Sequence, residues 1–210
     1  LGEHKGGYTP FDLRIDQAYC FTAEKNILTV IVDSRELEDI PPFGGRIDYL
    51  TFGGIYREVS LGFYDKLYIK NLKVETEEVL AAEKSLRVKV FVENHHRDER
   101  NGSLQVTLRD GHGQEVYAQS FDLQVQPEQD LYVFSMSGLR GLKLWSLEDP
   151  VLYQVQVRLE CGEITDEYDD YIGFRTVEFK TDGFYLNGKR LKLRGLNRHQ
   201  SYPYVGYAMP

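Results

Sequence analysis

Between residues 67 and 175 the chain alternates apolar and polar side chains in run after run, and each run closes on a turn signal. A period of two belongs to a strand, whose successive side chains point to opposite faces. The alternation shows in LYIKNLKVET and is strict in SLRVKVFVEN, where Leu86, Val88, Val90 and Val92 share a face opposite Arg87, Lys89 and Phe91. GSLQVTLRD and EVYAQSFDLQV follow, joined by Asp110-Gly111-His112-Gly113. Asp-Gly between alternating runs is a hairpin signal. DLYVFSMSG, PVLYQVQVRLE and EITDEYDDYIGFR complete seven short strands. Seven such strands with a turn about every 8–12 residues predict an immunoglobulin-like sandwich. Leu86, Val88, Val90, Leu104, Val106, Val155 and Val157 should then point inward, with Trp145 mostly buried. A one-residue slip would turn that whole apolar set to solvent.

Strand-like runs lie on both sides of this block. NILTVIVDS (residues 26–34) is β-branched and apolar, and IYREVSLGF (residues 55–63) alternates. The connection between them, RELEDIPPFGGRIDYLTFGG, is rich in Pro and Gly, and loops of that length usually carry function. Beyond Arg175, Asn187-Gly188 sits between two strand-like runs and predicts a type I′ hairpin. Residues 191–196 read as a further strand, ending in Asn197, Arg198, His199 and Gln200 and then an aromatic loop broken by Pro203. No segment holds helical amphipathicity over a dozen residues, and no internal repeat is present. The fold class expected is all-β.

With 210 residues, 41% apolar and 28% charged, the chain has the composition of a folded protein, with room for one large or two modest domains. Its 15 Tyr and 11 Phe against one Trp favour strands. A net charge of -8 argues against nucleic acid and against an anionic membrane as partners. Residues 177–210 are locally basic, with six Lys or Arg against two acids, but these charges alternate along an apparent strand and suit a solvated face. No apolar run reaches the roughly 20 residues a membrane-spanning helix needs. Cys20 and Cys161 are read as unpaired thiols in a reducing compartment, one disulfide remaining open. The chain begins at Leu1 and reads as the middle of something longer; the location expected is cytoplasmic, left open by the N-terminus.

Catalytic signatures are sparse. No Ser-His-Asp grouping, phosphate-binding loop, dinucleotide fingerprint or Cys/His metal spacing is present. His95 and His96 adjoin a charged turn and are expected to face solvent; Glu77-Glu78 and Asp169-Asp170 suit polar strand edges. His199 could serve as a ligand-binding or catalytic imidazole, although a lone His in a loop is more often merely exposed. Asp48 could equally cap a turn.

Three stretches resemble signature segments of glycoside hydrolase family 2, the family of β-galactosidases, β-glucuronidases and β-mannosidases. FGGIYREVSL resembles the end of its jelly-roll domain, and LKLWSLEDPVLYQVQV the late strands of its immunoglobulin-like domain. GFRTVEFKTDGFYLNGKRLKLRGLNRHQSYPYVG resembles the join to its catalytic (β/α)8 barrel. HKGGYTPFDLRI and FGGRIDYLTFGGIYREV favour the β-galactosidase branch. The resemblance implies three parts: residues 1–66 as the C-terminal part of a jelly-roll sugar-binding domain, residues 67–176 as the sandwich, and residues 177–210 as a hairpin and the first barrel strand. It implies that strand 191–196 carries Asn197, Arg198 and His199 into the active site at the end where barrel enzymes bind ligands. His199 matches an imidazole that contacts sugar hydroxyls and helps stabilise the transition state. Arg194 and Asn197 match positions that shape the pocket floor, and Asp48 matches a carboxylate that reaches the galactose hydroxyls.

The same resemblance implies a retaining glycosidase acting on terminal non-reducing β-D-galactose. Such chemistry needs two carboxylates about 5–5.5 Å apart. In the family both are glutamates on later barrel strands, and no Glu of this chain matches either motif. The chain is therefore expected to be an inactive, non-catalytic front part of a hydrolase. No cofactor is assigned to it; Mg2+ or Na+ would belong to a parent enzyme, which is expected to be a homo-oligomer. Two alternatives stand beside this reading: a β-glucuronidase or other family 2 specificity, and a free-standing carbohydrate-binding or adhesion module.

Overall fold

The computed structural model describes residues 1–15, 20, 25–45, 49–127 and 129–208. The chain divides into two compact units: Gly62–Gly195, and Leu1–Leu61 together with Leu196–Pro210. Among the described residues the regular structure is entirely β, and no helix is long and apolar enough to cross a membrane.

The unit Gly62–Gly195 contains the expected sandwich. Seven strands follow one another as β1 (Leu67–Glu77), β2 (Lys84–Asn94), β3 (Arg100–Arg109), β4 (Glu115–Val125), β5 (Leu131–Leu139), β6 (Tyr153–Cys161) and β7 (Ile164–Ile172). One sheet has the order β1-β2-β5 and the other β4-β3-β6-β7, all pairs antiparallel. The chain thus changes sheet between β2 and β3, back between β4 and β5, and again before β6, as in immunoglobulin-like folds. The alternation in SLRVKVFVEN sets the register: Val88 lies opposite Val74 and Phe134, and Val90 opposite Leu72 and Tyr132. All seven side chains expected to point inward (Leu86, Val88, Val90, Leu104, Val106, Val155 and Val157) are fully buried. Burying one such side chain contributes about 1.5–3 kcal/mol, which is why the register is unique.

The Asp110 turn joins β3 to β4 as expected. Its carboxylate accepts the backbone N–H groups of His112 and Gln114 at 2.9 and 3.0 Å, and those bonds hold its acid strength above that of an ordinary Asp. At the edge of the first sheet, β1 shifts register between Ile69 and Asn71, and the Asp166 carboxylate on β7 accepts the Ile69 N–H at 2.7 Å. His96 departs from expectation. It is partly buried rather than solvent-facing, because the Asn94 side chain accepts its N–H and turns the chain back, leaving Nε2 buried without a hydrogen-bond partner. Cys20 and Cys161 are free; Cys161 is buried, which pushes its thiol pKa up.

A small third sheet follows, with β8 (Val177–Lys180), β9 (Gly183–Leu186) and β10 (Lys189–Leu191) in the order β10-β9-β8. Asn187 and Gly188 both take positive φ, 51° and 73°, the type I′ geometry that the dipeptide predicts. The Asn187 side chain also ties this sheet to the sandwich: Nδ2 donates to the Trp145 carbonyl at 2.9 Å and Oδ1 accepts the Thr176 N–H at 3.0 Å. The backbone N–H of Asn187 adds a bond to the Thr176 carbonyl at 3.0 Å. Trp145 is partly buried, with Gly173 against one face and the Arg175 guanidinium 4.7 Å from its ring centroid.

Two expectations about strands need correction. The strand foreseen over residues 191–196 does not form: β10 ends at Leu191, and residues 192–196 run unpaired, with Leu196 98% exposed. The hairpin is consequently a three-stranded meander rather than a two-stranded ribbon with a long arm. Likewise residues 26–34 and 55–63 form no strand. Alternating apolar residues are necessary for a strand but not sufficient; a neighbour must also take up the backbone N–H and C=O groups. Neither run joins a sheet, and their apolar side chains stay in solvent, Ile31 at 90% and Val59 at 75% exposure.

Candidate functional site

The candidate residues fall mainly in the unit formed by Leu1–Leu61 and Leu196–Pro210. The residues after 196 do not stand apart from the rest of that unit. They return to the N-terminal segment and dock through aromatic rings.

The local sequence explains the docking. In Ser201-Tyr202-Pro203-Tyr204-Val205-Gly206-Tyr207 the chain reverses: Tyr202 and Gly206 exchange both backbone hydrogen bonds, at 2.8 and 3.1 Å. Gly206 has φ 56° and lies buried beneath Phe52, whose ring would come within 2.9 Å of any Cβ placed there. The turn presents Tyr207 edge-on to Phe52 (centroids 5.1 Å, planes 79° apart) and to Tyr49 (6.2 Å, 71°). Phe52 in turn meets Tyr56 edge-on at 6.1 Å. Arg57 Nη2 donates to the Tyr207 carbonyl at 3.3 Å. Edge-to-face contacts at these separations are the favoured geometry for aromatic pairs.

Into this cluster comes His199. Its imidazole lies nearly parallel to the Tyr49 ring, with centroids 6.0 Å apart and planes 16° apart. The Tyr8 hydroxyl donates to the Tyr49 oxygen, and that bond, reinforced by desolvation and the neighbouring hydroxyls of Tyr49, Tyr56 and Tyr207, pushes the Tyr8 pKa up to about 12. Three segments distant in sequence thus converge on Tyr49. Its aromatic faces, phenol hydroxyls and imidazole match what a sugar presents, an apolar ring face rimmed by hydroxyls.

The four residues singled out from sequence fare differently. His199 and Asn197 are exposed on this unit, His199 against Tyr49. Arg194 is exposed and belongs to the Gly62–Gly195 unit. Asp48 lies outside the described residues; its chain neighbour Tyr49 is the residue stacked on His199. Sequence reasoning missed Tyr49, Phe52 and Tyr207. The available signal was aromatic spacing, with Tyr49 and Phe52 in a loop that ought to be polar and Tyr56 just beyond its end. Among the described residues no group of three or more His, Cys, Asp or Glu side chains is placed to hold a metal ion.

Comparison with known proteins sets this geometry in a family. Residues 67–175 match the sequence profile of Glycosyl hydrolases family 2. A β-galactosidase of Thermoanaerobacterium thermosulfurigenes is 55% identical over 100% of this chain and 29% of its own length. The chain belongs to glycosyl hydrolase family 2. A second family 2 relative, a β-galactosidase of Rhizobium meliloti, is 40% identical over 98% of this chain and 26% of its own. Among solved family 2 structures, a Bacteroides uniformis β-glucuronidase covalently bound to cyclophellitol-6-carboxylate aziridine superposes with a TM-score of 0.68 at 28% identity, covering 85% of this chain and 22% of that one. The chain spans under a third of the length of these family 2 relatives.

Proposed function

We propose that this chain supplies the sandwich and part of the sugar-contacting surface of a retaining β-galactosidase, acting on terminal non-reducing β-D-galactose. The observation that carries the proposal is identity of 55% sustained across the whole chain with a β-galactosidase, against 28% with the β-glucuronidase structure. The site is consistent with it: His199 is exposed and held at Tyr49, where its ring nitrogens can reach sugar hydroxyls. In this proposal His199 bonds those hydroxyls more strongly in the transition state than in the ground state, which is what raises turnover rather than binding alone. Asn197, Arg194 and Asp48 shape and extend the same contact. The nucleophile and the acid/base come from two glutamates outside this chain's motifs, so the chain by itself orients substrate and does not cleave it.

A β-glucuronidase is the second reading, favoured by the backbone superposition above. Both are tested by a chimera in which this chain replaces the matching residues of the T. thermosulfurigenes β-galactosidase. The proposal expects the chimera to cleave an aryl β-galactoside and the isolated 210-residue chain to cleave none. Preference of the chimera for an aryl β-glucuronide would replace it with the second reading, and turnover by the purified isolated chain would overturn the division of labour.

A further inference from the structure

We propose that Tyr49 is a positioning residue for His199, its ring face holding the imidazole in the one orientation that serves the substrate. This rests on the β-galactosidase reading, in which His199 contacts sugar hydroxyls. An exposed ring can meet a half-buried one by accident, but four observations set this pair apart.

The planes are 16° from parallel at a centroid separation of 6.0 Å, within the offset-stacked range for aromatic pairs. Tyr49 is itself constrained, flanked by the edge of Tyr207 at 6.2 Å and hydrogen-bonded through its oxygen to the Tyr8 hydroxyl. Residues 192–201 form no strand or turn, so no regular element sets the direction of the His199 side chain. Finally, the turn that follows is anchored in the same cluster, by Gly206 under Phe52 and by Arg57 on the Tyr207 carbonyl, which keeps the segment carrying His199 beside Tyr49.

Orientation matters because an imidazole offers two nitrogens in fixed directions. A rotation that leaves the ring in the pocket still misaims both. A contact that strengthens only in the transition state is then lost from kcat more than from KM. Tyr49→Leu keeps bulk and apolar character at the position but removes the flat face. Tyr49→Phe keeps the face and removes only the hydroxyl.

The stack is read first on the isolated chain by carbon–proton NMR of the His199 ring. The ring current of Tyr49 should hold the His199 ring protons upfield; Tyr49→Leu should release them, and Tyr49→Phe should leave them in place. His199 signals that do not move in Tyr49→Leu, or that move equally in both variants, overturn the stack. The functional arm uses the chimera. Tyr49→Leu should lower kcat about tenfold or more with KM little changed, and Tyr49→Phe should restore most of the loss. Unchanged kcat in Tyr49→Leu, with the NMR stack intact in the parent chain, overturns the positioning role and leaves the β-galactosidase reading standing. A chimera with no β-galactosidase activity before any Tyr49 change overturns that reading itself, and the positioning role with it.

Discussion

At the scale of single residues, the tyrosine cluster makes a claim about pH. The pKa of Tyr8 is pushed from 10.0 to about 12, first because its hydroxyl donates to Tyr49 and then through burial and the nearby hydroxyls. The folded state therefore holds this proton more tightly than the unfolded chain. The resulting stability is fully present below about pH 10 and is lost as pH rises toward about 12. The pKa of Tyr185, whose hydroxyl donates to the Asp182 carboxylate, is raised as well. Ultraviolet titration of phenolate absorbance should therefore show two late-titrating tyrosines, and Tyr49→Phe, which removes the acceptor, should return only Tyr8 toward ordinary behaviour. A titration identical in the two proteins would show that the bond is not made in solution. His199 carries the second residue-scale prediction. In the chimera, His199→Ala should lower kcat/KM by roughly tenfold to thousandfold, the range for losing a contact that tightens in the transition state, while the melting temperature stays put. Unchanged kinetics would return His199 to an ordinary exposed loop residue. Its candidacy was legible in the sequence only through resemblance. Its partner Tyr49 was not legible, since nothing in either local sequence says that residues 49 and 199 meet. Stacking is a tertiary fact, and neither periodicity nor spacing encodes it.

At the scale of elements, the contrast is between runs that found a neighbour and runs that did not. SLRVKVFVEN became β2 because both its edges are paired, to β1 and to β5, and its inward Leu and Val side chains have a facing sheet to fill. NILTVIVDS has stronger β propensity but joins no sheet, so propensity alone misled. The same rule shortens β10 to Lys189–Leu191: its ladder with β9 ends at Leu191 opposite Phe184, and β9 itself extends only one residue further, to Gly183. What makes the β8–β10 meander persist is Asn187, whose two side-chain bonds join it to Trp145 and Thr176. Asn187→Ala loses both bonds and places a Cβ-bearing residue less tolerant of φ 51°, whereas Asn187→Gly loses the bonds but tolerates the turn. Each lost bond costs about 0.5–1.5 kcal/mol, and strain adds to the Ala variant. Hydrogen exchange should therefore speed up in residues 177–191 in both variants, more in Ala than in Gly, with the amides of β2 and β6 unchanged. Equal protection in all three proteins would mean that the sheet is held by something other than Asn187.

At the scale of the whole molecule, the two units have opposite relations to water. Gly62–Gly195 closes its apolar residues into a core, whereas Leu1–Leu61 leaves Ile27, Ile31, Val59 and Leu61 between half and nearly fully exposed. Extended, unpaired, apolar backbone is a template for pairing with another chain. Residues 26–34 and 55–61 supply two such templates, and the net charge of -8 is too diffuse to prevent short-range pairing once chains meet. Association through these runs would do two things at once: bring backbone N–H and C=O groups that lie outside any sheet into a ladder, and bury β-branched side chains that strands accommodate well. The sandwich should not take part, since its core is already closed. Two measurements follow. Sedimentation should show mass rising with protein concentration, and Ile31→Lys with Val59→Lys should suppress the rise by placing charge on the would-be pairing edges. Hydrogen exchange at low and high concentration should then locate the contact. Amides of residues 26–34 and 55–61 should exchange rapidly in dilute, monomeric samples and become protected in concentrated ones, while protection in β2, β3 and β6 stays constant. Strong protection of residues 26–34 in a verified monomer would show that these runs pair within the chain, and that their exposure does not describe the protein in solution.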